Sequence, residues 1–186
     1  VLVDRGTKLQ FPAIKTEHIE RHEFKDMYLV SHEKPWPKPQ VWQDSLSFEG
    51  LNEFTTDVII KTGTTISMKP GATLVFYGKV IAEGSKESPI RFVPAQSGQE
   101  PWGGVVLKGE GADGSILQHV FFAEGSGLKG DLFEYTAMFN IHDVDGVRID
   151  NCSFRDSRIT DDMVHAVYSE VRFSNCLFER SLMDSL

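Results

Sequence analysis

Carboxylate and guanidinium side chains that could do chemistry together are concentrated near the C-terminal end of the chain. The set comprises Asp143, Asp145, Asp156, Asp161, Asp162 and Asp184, with Arg155, Arg158 and Arg180. Carboxylates gathered on one face could hold Ca²⁺, which prefers several oxygen ligands. Two carboxylates at a suitable separation could hydrolyse a glycosidic bond. An aspartate beside an arginine could remove a proton next to a uronate carboxylate, as a lyase or epimerase must do.

This set, with the nearby His142, supplies the candidate residues for catalysis and for calcium binding. The candidate catalytic residues are Asp161, Asp162, Asp184, Arg158 and His142, and the candidate calcium ligands are Asp156, Asp161 and Asp162. Calcium is the one cofactor that the pattern suggests. Aspartate is also a preferred residue in tight turns, and turns are the simpler explanation of the same pattern.

Three other residues could contact a ligand. Trp102 could stack on a sugar ring, although a tryptophan ahead of two glycines more often packs on a neighbouring loop. Lys129 and Asp131 lie in a glycine-rich stretch that resembles an insertion, and insertions in repeat folds often gather on the binding face. His18 and His22 are four apart, a spacing that can hold zinc on a helix but lacks a third ligand here.

The composition excludes several classes of partner. The net charge is −8, which argues against a nucleic-acid backbone or an anionic membrane surface. No apolar run in the given sequence is long enough to span a membrane, and none has the pattern of a signal peptide. The first residue is Val1 rather than methionine, so we expect a piece of a longer protein.

The elements that must position these residues are predicted by an internal repeat. Residues 147–157 read VRIDNCSFRDS and residues 171–181 read VRFSNCLFERS, an offset of 171 − 147 = 24. A repeat of this length with strand-like alternation is typical of a solenoid. Its stacking places Asn151 over Asn175 in a turn, Cys152 over Cys176 as buried thiols, and Phe154 over Phe178 in the core.

A third, degraded copy precedes these two. Leu117 matches Ile149 at an offset of 149 − 117 = 32, which predicts an insertion at residues 124–135. The alternation extended to the following strands places His142 over Tyr168, pointing outward, and His165 over Phe139, partly buried in the core.

The predicted fold is all-β, a right-handed parallel β-helix with an irregular N-terminal capping segment. Residues 1–45 are expected to form this extension or cap, because they contain a proline-rich connection and no clear periodicity. Residues 46–186 are expected to form the parallel β-helix. Leu182, Met183 and Leu186 follow the last repeat, so we expect further coils of the parent chain, or an end-to-end homodimer, to cover an open edge.

Several short motifs follow each other at the spacing found in one family. They are GTTI at 63–66, PGA at 70–72, PIRF at 89–92 and WGGV at 102–105. From residue 58 onward the chain resembles the pectate-lyase-like right-handed parallel β-helix domains of bacterial secreted and surface proteins. DDMVH at 161–165 with YS at 168–169 resembles the subset found beside CotH-like kinase modules.

The resemblance implies an extracellular or cell-envelope location and a polysaccharide as a partner. Its motifs shape turns and carry no catalytic signature. We therefore expect a non-catalytic structural or carbohydrate-associated module of a larger protein. The alternative is a carbohydrate-active enzyme, a polysaccharide lyase, epimerase or glycoside hydrolase, acting on an acidic face of the β-helix. Fold alone cannot choose between them, because β-helices host many activities.

Overall fold

The structure is a computed structural model that describes residues 38–129, 134–157, 159–160 and 162–181. Most of the predicted N-terminal cap, residues 1–37, lies outside the described residues. Apart from one turn of 3-10 helix at Glu110–Ala112, the regular elements in the described part are β-strands. Within that part, no helix is long and apolar enough to cross a membrane.

The strands are short and recur in groups of three, one group for each coil. The first two coils contain β1 (Gln40–Trp42), β2 (Ser45–Phe48), β3 (Leu51–Phe54), β4 (Val58–Ile60), β5 (Thr65–Met68) and β6 (Thr73–Phe76). The third contains β7 (Val80–Glu83), β8 (Ile90–Pro94) and β9 (Val105–Lys108). The fourth contains β10 (Ile116–Gln118), β11 (Val120–Ala123), the short β12 (Leu128–Lys129) and β13 (Glu134–Tyr135), and β14 (Phe139–His142). The last two contain β15 (Val147–Asp150), β16 (Ser153–Arg155), β17 (Val164–Val167), β18 (Val171–Ser174) and β19 (Leu177–Glu179).

Three parallel sheets run the length of the stack, and each takes one strand from successive coils. Sheet A has the order β1-β4-β7-β10-β15-β18, sheet B has β2-β5-β8-β11-β16-β19, and sheet C has β3-β6-β9-β14-β17. β12 and β13 form a separate antiparallel hairpin within the predicted insertion. A chain that visits three sheets in turn is a parallel β-helix, so the predicted fold is confirmed. Its first described strand begins at Gln40, ahead of residue 46.

The predicted registers of the repeat are confirmed. Val147 pairs with Val171 and Phe154 with Phe178, which is the offset of 24 residues. Leu117 pairs with Ile149, which is the offset of 32. The larger offset accommodates the hairpin, whose strands leave the coil between β11 and β14.

Left-handed backbone conformations mark the corners between the sheets. At the corner from sheet A to sheet B, His119, Asn151 and Asn175 have φ of 48°, 52° and 53°. This confirms the predicted role of the two asparagines, since asparagine tolerates positive φ better than most residues. Their amides do not bond each other. Both donate to the carboxylate of Asp150, at 2.8 Å from Asn151 and 3.2 Å from Asn175.

The core contains a column of phenylalanine rings stacked from coil to coil. The ring centres are 4.8 Å apart from Phe92 to Phe122, 5.0 Å from Phe122 to Phe154, and 5.1 Å from Phe154 to Phe178. These separations match the distance between neighbouring strands, so each coil adds one ring to the column.

Burial in the last described coil differs from the prediction. Phe154 is fully buried, but Phe178 is 46% exposed and Phe173 is 41% exposed. No described strand pairs with the outer edges of β18 and β19, so the inward faces of these strands remain partly open. The expectation that both phenylalanines are buried in the core is therefore wrong for Phe178. The partners expected to cover this edge, further coils or a second copy, stay predictions.

The predicted pairing of β14 with β17 is wrong by one residue. His165 pairs with Asn140 rather than Phe139, and His142 pairs with Val167 rather than Tyr168. The offset in this sheet is therefore 167 − 142 = 25. His165 consequently lies on the outer face of sheet C, whereas the prediction placed it partly in the core.

Candidate functional site

The acidic residues predicted to act together are divided between two corners of the coil. Asp143 and Asp145 follow β14, at the corner between sheets C and A, whereas Asp156 and Asp162 lie between β16 and β17. A four-residue strand of sheet C, about 13 Å long, separates the two corners. The candidates Asp161, Asp184 and Arg158 lie outside the described residues, and the site assigned to them stays a prediction.

The described carboxylates mostly serve the turns in which they lie. Asp156 accepts hydrogen bonds from Arg180, at 2.5 Å from Nε and 2.9 Å from Nη2. These bonds hold the pKa of Asp156 below its usual value, against an opposing effect of burial. Asp162 accepts a hydrogen bond from the Thr136 hydroxyl at 3.2 Å. Among the described residues, no three His, Cys, Asp or Glu side chains are placed to hold one metal ion.

Trp102 is placed for packing rather than for binding a sugar. Its side chain is fully buried, and its indole Nε1 donates to the carbonyl of Ala123 at 2.7 Å. The ring lies against Gly125, where an added β-carbon would come within 2.7 Å of it. No face of the ring is open to a ligand, so the predicted binding role is corrected to the structural alternative. Of the other two binding candidates, Asp131 and the side chain of Lys129 lie outside the description.

The β12–β13 hairpin covers part of the outer face of sheet C. Tyr135 is 6% exposed and packs on Val75 and Val106, which point outward from that sheet. The Lys108 amine lies 5.9 Å from the centre of the Tyr135 ring. Because these residues are apolar or aromatic, the insertion forms a small second cluster outside the main core.

A pair of imidazoles lies beside this cluster. The ring of His142 is 5.5 Å from Tyr135 and 5.4 Å from the ring of His165, at an interplanar angle of 77° to the latter. Burial lowers the pKa of His142, and the nearby His165 and Lys108 lower it further, while Asp143 opposes them. The sequence predicted a role for His142 but not for the pair, because the predicted register placed His165 on the opposite face of the sheet.

The outer face of sheet A carries a shallow groove of about 320 Å³, here called the sheet A groove. Its polar lining comprises Glu83, Gln118, Arg148, Asp150, Arg172 and Ser174. Arg148 and Arg172 are exposed and directly paired in neighbouring strands, so their backbones are about 4.8 Å apart. Neither guanidinium makes an ion pair or a hydrogen bond among the described residues.

The sequence predicts that these arginines point outward, because they alternate with the inward residues of their strands, but it assigns them no site. The signal was available, because arginine occupies the same position in both copies of the repeat. In a solenoid, an identical outward residue at equal offsets produces a row of like side chains on one face.

Comparisons with known proteins return no match. No protein-family model matches the chain, and neither a curated protein nor a solved structure does. The parallel β-helix fold therefore rests on the structure itself, and membership of the pectate-lyase-like superfamily stays a prediction.

Proposed function

We propose that this chain is a non-catalytic, carbohydrate-associated β-helix module of a larger secreted or cell-envelope bacterial protein. The observation that carries the proposal is the pair of unpaired arginines in the sheet A groove. Like charges in directly opposite positions on neighbouring strands destabilise a sheet. A bound anion would remove that repulsion, and a carboxylate is the anion that the planar guanidinium binds best, through two parallel hydrogen bonds.

The chemical class of ligand follows from the shape of this groove and from its paired arginines, beside which Glu83 and Asp150 also line it. It runs across neighbouring coils, so it offers contacts at a regular spacing along a line. A polysaccharide that carries uronate carboxylates presents anions along a line in the same way. Gln118 and Ser174, which line the same groove, supply donors and acceptors for sugar hydroxyls.

The absence of catalysis is supported by where the described acidic candidates lie. A glycosidase needs two carboxyl groups within about 10 Å of each other across the scissile bond. Asp143 lies on the opposite side of sheet C from Asp156 and Asp162. The latter two share a corner, but Asp156 is engaged by Arg180, and Asp162 accepts a hydrogen bond from Thr136. This arrangement favours turn formation over acid–base work.

The alternative function is a carbohydrate-active enzyme, and one observation favours it. The imidazole of His142 is held towards its neutral form by burial, and a neutral imidazole can accept a proton. On this alternative, His142 would remove a proton beside a uronate carboxylate.

Affinity electrophoresis of the whole chain in gels that contain polygalacturonate tests the proposal, with a neutral glucan gel for comparison. We expect retention by the polyuronate only, and at least tenfold weaker retention when Arg148→Gln and Arg172→Gln are combined. Lys61→Gln is the control, because Lys61 is also an exposed cation but lies in the turn after β4, outside the groove. Equal retention of the double variant and the control would refute the role of the groove. Ultraviolet absorbance from unsaturated uronate products would favour the enzyme instead.

A further inference from the structure

Among the described residues, two buried ring nitrogens on the outer face of sheet C have no hydrogen-bond partner. They are Nε2 of His142 and Nδ1 of His165. Buried polar atoms without partners are uncommon in folded proteins, and an unplaced water or ion is a frequent explanation. A neutral imidazole keeps one nitrogen with a free lone pair, and this nitrogen is a common ligand of transition metals.

The geometry of the two rings fits a shared ion. Their centres are 5.4 Å apart and their planes are inclined by 77°. Two imidazoles that bind one tetrahedral ion at metal–nitrogen distances of about 2.0–2.1 Å have ring centres about 5 Å apart. We propose that His142 and His165 bind one divalent transition-metal ion, Zn²⁺ or Cu²⁺, with water in the remaining positions.

The positions of the two residues in the sheet explain how they come together. His142 pairs with Val167 and His165 pairs with Asn140, so the two histidines are diagonal neighbours on adjacent strands of the same face. Tyr135 of the hairpin packs against the ring of His142 and restricts its movement. Two ligands held on neighbouring strands of a rigid sheet need little reorganisation when an ion binds.

Two features limit the affinity of this site. The described residues provide no third His, Cys, Asp or Glu side chain beside the pair. The Lys108 amine also lies nearby, over the Tyr135 ring, and opposes a cation. We expect Cu²⁺ to bind to the two imidazoles more tightly than Zn²⁺, because copper has the higher affinity for nitrogen ligands. This inference is independent of the carbohydrate proposal, because the sheet A groove lies on a different sheet.

Three of the four other histidines of the chain provide matched controls. His119 lies at the corner between sheets A and B, in the left-handed conformation, away from sheet C. His18 and His22, the spacing that sequence analysis associated with zinc, lie outside the described residues. A double variant of these two separates the competing site from the proposed one.

Electron paramagnetic resonance of Cu²⁺ titrated into the whole chain tests the inference. We expect one bound ion with coupling to two nitrogen nuclei, which Zn²⁺ displaces at higher concentration. His142→Gln and His165→Gln should each weaken binding at least tenfold, whereas His119→Gln and the double variant His18→Gln with His22→Gln should bind as the native chain does. Circular dichroism should show that the variants remain folded, since both histidines lie on an outer face.

A second measurement needs no variant. Zn²⁺ should protect residues 142 and 165 from carbethoxylation by diethyl pyrocarbonate, as read by peptide mass spectrometry, while His119 reacts at an unchanged rate. Binding that survives loss of both sheet C histidines, or that disappears only in the variant of His18 and His22, would overturn the inference. Failure to bind Cu²⁺ at all would overturn it as well.

Discussion

The column of stacked phenylalanines offers two substitutions that are equal in chemistry and unequal in burial. Phe154 is fully buried and lies between Phe122, at 5.0 Å, and Phe178, at 5.1 Å. Phe178 occupies the same position one coil later but is 46% exposed. The difference between their effects on stability therefore measures how far the core of the last described coil is shielded from solvent.

The magnitudes follow from the buried areas. A buried phenylalanine removes about 200 Å² from water, which contributes about 5 kcal/mol at about 25 cal/mol per Å². Alanine retains the β-carbon, so we expect Phe154→Ala to lower the free energy of unfolding by about 3–5 kcal/mol. Folding buries little more than half of the Phe178 side chain. Truncation of this side chain therefore leaves no enclosed cavity. We expect Phe178→Ala to cost about 1–2 kcal/mol.

Urea denaturation, followed by circular dichroism and by tryptophan fluorescence, measures both effects. Coincident curves from the two probes are needed before a single free energy is assigned. Arg148→Ala is the control on the same coil, because Arg148 is exposed and should change the free energy by less than about 0.5 kcal/mol. Equal losses from the two phenylalanine variants would refute the reasoning, since they would require the last coil to be as closed as the one before it.

Three further predictions concern single sites. Gly125→Ala should destabilise the chain by about 1–3 kcal/mol in the same denaturation assay, because the new methyl group would overlap a buried indole ring. Asp156→Asn keeps a residue that tolerates positive φ but loses the ion pair with Arg180, so it should lower the melting midpoint at pH 7. The pKa of Asp156 is lowered in the folded state, so this difference should narrow below about pH 5 and vanish once the native carboxyl is protonated. A difference that persists at lower pH would contradict that account. Burial raises the pKa of the Cys152 thiol to about 12, so iodoacetamide at pH 8 should label the partly exposed Cys176 first, as mass spectrometry of timed samples will show. Equal labelling rates in the native chain would contradict the burial.

The pairing of strands could be predicted from the sequence where two copies of the repeat could be compared directly. The eleven-residue repeat spans one strand of sheet A and one of sheet B, and the predicted pairings in both sheets are confirmed. The alternation fixes which side chains enter the core, because a register shift of one residue would exchange the two faces. The turn asparagines were predictable for a similar reason, since few residues tolerate positive φ.

The register of sheet C was not predictable from the sequence, for a physical reason. The strands of that sheet share no repeated motif, and their register depends on the length and path of the connections that precede them. Residues 156–163 separate β16 from β17, and no periodicity in that connection reveals how much chain the corner takes up. An error of one residue in the predicted register assigned His165 to the core face of sheet C instead of its outer face.

The positions that stacking does not constrain are the ones where function is best sought in this fold. Residues that repeat are held by the requirement to stack on the neighbouring coil, and their types follow from packing. The imidazole pair and the hairpin that covers it occur where the repeat is interrupted, so packing between coils does not require them. The sheet A groove shows the opposite case, because an outward arginine is free of the packing requirement and yet recurs. In a solenoid, chemistry is therefore best sought among outward residues that recur without a packing reason, and in insertions that place side chains over one face.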